Sequence, residues 1–407
     1  MAALSPTAAT YGLHPNLGPL TQNGTTIVNN GIHELWGAGK LAIVTNVGNL
    51  VQPLTKANYL SSLFKKPYQL FSHSDQVAQS HTSNAKTQAF TGWGGRVSDK
   101  LTSSSNPNGL IPMITSISGA QLFTAGQTTL PMAIADSGTA LANVLDAQGF
   151  GNLGGPARLT AFNALRGMDL SSNYVAAASH VTDLAIQADT ALGSSQDTSA
   201  NVTFPNTSIG RQLRQIARLI RSRDGLNINR QIFYCQVGSF DTHTNQPTLQ
   251  GNLMTQVSQA VRAFWDELGA PNPENIQDKV VLFTLSDFAR TFNPAGSGAT
   301  VGSDHAWGNH MFVLGGQVLG GDFYGSKRPD GTGNYYPTLV MGPSGPDDTD
   351  NSQTATANRG RWIPTTSVEQ YAVRLARWFG LDPADEAAVF PNLVNFNDTQ
   401  TALNFLP

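Results

Sequence analysis

From Ile209 to Leu314 the hydrophobic period of this chain keeps switching between helical and strand-like spacing. Ile209, Leu213, Ile216 and Leu219/Ile220 recur every three or four residues, as one face of a helix does. The apolar stretch Gln231–Val237 follows. Leu253, Val257, Ala260/Val261, Phe264 and Leu268 then mark a second amphipathic helix, and Val280–Leu285 and Met311–Leu314 read as further strands. Upstream, Leu41–Val47 is almost continuously apolar. A strand without polar alternation is covered on both faces, which favours a parallel sheet between helices. The expected class is α/β with a doubly wound sheet.

The remaining segments punctuate this pattern. Residues 1–30 are rich in turn formers and read as an irregular lead-in. Gly31–Trp36 is a short helical pattern ended by Gly37 and Gly39. The runs Ile111–Ile117 and Leu130–Ile134 read as a hairpin with a long loop. Residues 157–192 read as helices and residues 193–208 as a Ser/Thr/Asn-rich loop. Ser367-Val368-Glu369-Gln370 is a capping box opening a helix over Val368–Phe379, which Gly380 closes. No internal repeat or linker divides the 407 residues, so one domain is expected.

Composition narrows the function. Charged residues make up 13% of the chain, well below the ~25% of typical domains. The surface is therefore largely Asn, Gln, Ser and Thr, as on many exported proteins. The net charge of -3 gives no basic field for nucleic acid. No apolar run is long enough to span a membrane. Cys235 is the single cysteine, which precludes an intrachain disulfide; in its strand-like run it reads as a small buried hydrophobe.

Ligand-type residues concentrate in three segments: Phe240-Asp241-Thr242-His243, Leu285-Ser286-Asp287-Phe288-Ala289-Arg290, and Ser303-Asp304-His305-Ala306-Trp307-Gly308-Asn309-His310. Carboxylate oxygen and imidazole nitrogen are what divalent metals take from proteins. Ligands of open α/β sheets bind beyond the carboxyl ends of strands. Asp241 and His243 follow one strand and Asp287 follows another, so neighbouring parallel strands would bring them to one rim. Asp304, His305 and His310 sit on the loop into the next strand. Each alone could equally be a turn residue, a cap or a hydrogen-bonded loop histidine.

Other candidates are weaker. Arg290 is placed to clamp an oxyanion or to lie on the surface. His73 and Asp75 read as a solvated loop, with a place in the site as the alternative. Trp93 and Trp307 lie beside glycines and read as pocket lining or packing. The turn Arg359-Gly360-Arg361-Trp362 could meet an acidic substrate.

On these residues the chain resembles a known family. The three segments, extended to Gly238–Gln246, Thr284–Thr291 and Ser303–Gly316, look like the signature blocks of the domain-of-unknown-function family 1501. Tyr11-Gly12-Leu13-His14-Pro15 and Gly39-Lys40-Leu41-Ala42-Ile43-Val44 resemble its earlier blocks. That family is grouped with the alkaline phosphatase and sulfatase superfamily and usually carries an export signal. The resemblance implies an alkaline phosphatase-like α/β/α sandwich with a largely parallel central sheet over residues 1–407. It also implies a divalent metal (Zn, Mn, Ca or Mg) held by Asp241, His243, Asp287, Asp304, His305 and His310.

Two departures accompany it. Phe288 stands where the superfamily's Asp-His segment has its histidine. No Gly-Gly-x-Asp precedes Tyr11, so the family's first strand, and with it the superfamily nucleophile, is expected to be missing. The function expected is a periplasmic or extracellular metal-dependent hydrolase of phosphate or sulfate esters, with Arg290 at the anion. The alternative is a non-catalytic surface or assembly protein that retains the fold. The partners expected are a small anionic ester or a surface glycan, with homo-oligomerisation left open.

Overall fold

The computed structural model describes residues 3–7, 9–18, 20–22, 25–28, 31–145, 155–193, 202–269, 275–396 and 403–407. Leu41–Gly48 is the strand around which the rest is arranged. Every residue in it is buried, which is why its sequence lacks polar alternation. Asn309–Gly315 lies beside it antiparallel, with Phe312 opposite Ile43, and Val281–Phe283 pairs antiparallel with Asn309–Gly315 in turn. Phe323–Tyr324 and Thr366–Ser367 add parallel to the other side of Leu41–Gly48.

This sheet is therefore mixed, which corrects the expectation of a largely parallel one. Burial on both faces explains an unbroken apolar run, and it says nothing about strand direction. A second sheet is parallel throughout. It runs Met132–Ala133, Ile114–Ser116, Ile232–Tyr234. The expected hairpin over 111–134 is thus a parallel pair. The connection 117–131 is long enough to carry the chain back to the start of the next strand, as parallel pairing requires.

Alternate side chains of the mixed sheet enter two apolar clusters. Leu41 and Leu314 pack with the helices Ser208–Arg221 and Gln246–Leu268. Ala42, Val44, Met311 and Val313 pack with Trp93–Ser105 and Val368–Phe379. Period-two alternation over a helix-covered strand puts helices on both sides of the sheet. The fold is mixed α/β.

Local chemistry explains the helix ends. Thr207 caps Ser208–Arg221 by accepting the Gly210 N–H. Both arms of the predicted Ser367/Gln370 capping box are made, and Gly380 closes that helix with φ 112°. The 157–192 region forms Gly155–Arg166 and Asn173–Gly193. Of the loop expected over 193–208, residues 194–201 lie outside the described residues. The lead-in is not wholly irregular: Ala3–Thr7 pairs with Ala9–Gly12 and Leu20–Gln22 with Thr25–Val28. Cys235 is only partly buried, against the first apolar cluster. Among the described residues no helix is long and apolar enough to cross a membrane.

Candidate metal site

A short ladder of main-chain bonds builds the site. Beyond the Val281–Phe283 strand, residues 289–291 pair back onto 304–307. Ala306 N donates to the Ala289 carbonyl (2.8 Å), Thr291 N to that of Asp304 (2.9 Å), and Arg290 bridges with His305. The loop that carries Asp304 and His305 is therefore tied down at those residues. Trp307 is fully buried and donates its indole N–H to the Asn49 carbonyl at 2.9 Å. That anchor fixes His305 two residues earlier. Trp93 is buried as well, with its indole N–H on the Ser80 carbonyl, so both tryptophans pack.

The Asp241/His243 segment follows the Ile232–Tyr234 strand and is held by the same loop. Ser303 N donates to the Thr242 carbonyl at 3.2 Å. Gly302 must be glycine here: a Cβ would fall 2.1 Å from the His243 carbonyl atoms. Asp287 follows Val281–Phe283, as the sequence predicts, although its strand belongs to a different sheet from the one before Asp241.

His73 comes from elsewhere in the chain. Ser72 and Asp75 are joined by a 2.6 Å hydrogen bond, and His73 is the first residue of the helix His73–Thr82. The segment is thus a helix start rather than a solvated loop. Asp75 serves that local turn, while His73 projects into the site. Its ring lies 4.5 Å from Phe288 and 4.3 Å from His305. Phe288 is buried and forms the apolar floor beneath both imidazoles.

Each of three histidines turns its Nδ1 outward onto an oxygen. His73 Nδ1 meets Asp287 Oδ2 at 2.6 Å. His305 Nδ1 donates to the Phe71 carbonyl at 2.8 Å, and Phe71 itself adopts φ 73°, a strained conformation for an aromatic residue. His243 Nδ1 faces Asp304 Oδ1 at 3.5 Å. Because a carbonyl only accepts, His305 must carry its proton on Nδ1, which leaves a lone pair on Nε2. The carboxylate opposite His73 imposes the same tautomer.

The Nε2 atoms then converge on one oxygen. Asp241 Oδ1 lies 2.9 Å from His243 Nε2, 3.2 Å from His305 Nε2 and 3.4 Å from His73 Nε2. The His243 and His305 Nε2 atoms are 3.2 Å apart. A neutral imidazole lone pair aimed at a carboxylate oxygen repels it, and either a proton or a metal cation between the two relieves the repulsion. His73 Nε2 is shielded from solvent and makes no hydrogen bond. A tetrahedral ion with ligands at ~2.0–2.1 Å spaces its donors roughly 3.3 Å apart, and the His73 and His305 distances to Asp241 Oδ1 lie near that value. His73, Asp241 and His305 offer donors mutually within 4.8 Å, and His243 sits against two of them. His73, Asp241 and His305 are the set that fits a divalent metal such as zinc, with His243 beside it.

Of the residues the sequence nominates, Asp241, His243 and His305 point donors at this centre. Asp287 and Asp304 stand one step out, behind His73 and His243. Such outer partners set the tautomer and aim of metal-binding imidazoles. His310 is not among the converging donors. Its Nδ1 accepts the Asn46 N–H at 3.1 Å and its ring lies 4.8 Å from Tyr336. The residue is exposed on its strand. We expect Asp287→Asn to weaken zinc binding about 10–100-fold while leaving the fold intact. Competition against a chelating dye measures this; an unchanged affinity would remove Asp287 from its supporting role.

Arginines enclose the acidic side. Arg290 Nη1 donates to Asp241 Oδ1 at 2.6 Å. Arg359 pairs with Asp304 at 2.9 Å. Arg361 donates to the His305 carbonyl at 3.1 Å and to Asp350 at 2.9 Å. Desolvation pushes the Asp241 pKa up, but the Arg290 hydrogen bond and charge, with His243 and His73, outweigh it and the net shift is down. Asp241 and His243 keep 44% and 47% of their side-chain surface exposed, so the centre is open to solutes.

The sequence comparisons can now be set beside this geometry. No characterised protein and no solved structure matches the chain. The family model described as "Protein of unknown function (DUF1501)" matches residues 26–370, which span every residue of the site. The chain belongs to the DUF1501 family.

Proposed function

We propose that this protein is a metal-dependent hydrolase of phosphate or sulfate esters, working outside the cytoplasm. One observation carries the reading: three imidazole Nε2 atoms gather round a single carboxylate oxygen at an exposed rim. His73, His243, His305 and Asp241 would hold the ion. A divalent metal so held supplies Lewis-acid polarisation of an ester oxygen and lowers the pKa of a bound water. The chain's own residues aim the donors and place guanidinium groups where an anionic ester would lie. The resemblance to alkaline phosphatases and sulfatases, helices on both sides of a central sheet and the low surface charge support the same reading.

A non-catalytic role for the retained fold is the second reading. His243, 3.2 Å from His305 Nε2, is what favours it, because a fourth protein donor closing the set would make a structural site. One experiment separates the two. Purified protein is analysed for metal, then assayed with nitrophenyl phosphate, phosphodiester and sulfate. We expect about one metal per chain and hydrolysis of at least one ester, both lost in Asp241→Asn. Metal without turnover on any ester would leave the structural reading, and absence of metal would sink the hydrolase.

A further inference from the structure

Arg290 is a fixed positive charge beside a centre built to receive a cation. Its Nε donates to Ser303 Oγ at 3.2 Å, and Nη2 donates to the Ser303 carbonyl. Ser303 is itself buried and bound through its N–H to Thr242. The guanidinium is therefore clamped, with only 12% of the side chain exposed. Nη1 alone is left over, and it lies 2.6 Å from Asp241 Oδ1, the oxygen on which the three imidazoles converge. Like charges held this close oppose each other's presence. A metal entering the donor set would meet this guanidinium across one shared oxygen.

An arrangement of this kind is costly for a cation alone and favourable for a cation accompanied by an anion. A tetrahedral oxyanion seated between the metal and Nη1 would ligate the metal through one oxygen, accept from Nη1 with another and offset the repulsion. We infer that Arg290 couples the two ligands, so that the site takes metal and oxyanion together and holds either one weakly by itself. The inference rests on the metal reading above. By linkage the coupling is reciprocal: whatever factor the anion adds to metal affinity, the metal adds to anion affinity. Arg290 would then bias the site toward dianionic or monoanionic esters over neutral ones.

The test is a calorimetric titration of zinc into wild-type protein and Arg290→Gln, in sulfate and in chloride at equal ionic strength. Wild type should bind zinc roughly tenfold more tightly in sulfate. R290Q should bind it about tenfold more tightly than wild type in chloride, because a like charge has gone, and should ignore sulfate. If R290Q binds equally or more weakly in chloride, or keeps the sulfate response, the coupling is overturned and Arg290 merely supports Asp241. If wild type binds no zinc in either salt, the metal reading falls and this inference with it. Thermal melts establish folding of each variant. Should R290Q fail to fold, Arg290→Lys carries the test: charge is kept and the fork to Ser303 is lost. It should then bind zinc as weakly as wild type in chloride with a reduced sulfate gain, and an undiminished gain would refute the role of Arg290.

Discussion

His73→Ala should abolish zinc binding at this site while the chain stays folded. His73 is one of the three residues whose donor atoms lie together, and under the proposed metal reading its removal is expected to weaken affinity by more than about 100-fold, the upper end of what supporting residues alone contribute. The fold should survive because Asp287 keeps other partners: Phe288 N–H at 2.9 Å and the Ser286 hydroxyl at 3.2 Å. His310→Asn provides the contrast. His310 lies on a neighbouring stretch of chain, yet its Nδ1 serves Asn46, and zinc affinity should not change. Equilibrium dialysis of both variants with zinc decides the matter. Retained binding in H73A, or loss in H310N, would mean that the donor set has been misassigned.

The second large effect concerns pH and arises away from the site. Glu369 is 1% exposed in the first turn of the Val368–Phe379 helix. One carboxyl oxygen accepts from Asn392 at 2.9 Å, and the other makes no hydrogen bond. Burial pushes its pKa up to about 7, against smaller opposing contributions from Asn392 and Arg96. The folded chain thus holds a proton that the unfolded chain releases above about 4.5. Stability contributed here is full below that value and falls as pH rises to 7, by roughly 3 kcal/mol.

His81 acts in the opposite sense. It is 6% exposed, with Nε2 3.4 Å from the Tyr234 hydroxyl and its ring edge-on to Phe123 and Tyr234. Burial lowers its pKa to about 4, partly countered by Asp287. The unfolded chain therefore takes up a proton that the folded one refuses, and stability is lost as pH falls from 6.5 toward 4. Between about 4.5 and 6.5 the two contributions nearly cancel in the wild type. Glu369→Gln should unmask a rise of stability with pH across that window, and His81→Gln a fall continuing to pH 7. Urea unfolding at half-unit pH steps reads both. Parallel curves for wild type and E369Q would show that Glu369 ionises normally in the fold.

The sequence carried much of the architecture because periodicity reports burial. The buried faces of Ser208–Arg221 and Gln246–Leu268, the Leu41–Gly48 strand and the Ser367 capping box are all where the apolar spacing and cap chemistry put them. Strand direction was not readable, since an apolar run looks the same either way round. The hairpin expected over 111–134 was a parallel pair for the same reason.

At the site, local sequence named Asp241, His243 and His305, and nominated Asp287 and Asp304 on equal terms. Whether a carboxylate faces an ion or stands behind a histidine depends on which imidazole nitrogen it meets, and this is set by tertiary contacts. His73 was the residue least legible as a donor. Its only local signal was the Ser72…Asp75 turn, which marks a helix start and gives no direction in space. Phe288, which breaks the Asp-His pattern, proved to be the floor under two imidazoles, with a histidine from more than two hundred residues upstream beside it. The sequence alone determined which residue types were available and which segments could be buried. Only the folded chain decided that His73 joins Asp241, His243 and His305 and that His310 does not, because convergence of donor atoms is a property of packing between distant segments and leaves no periodic trace in any one of them.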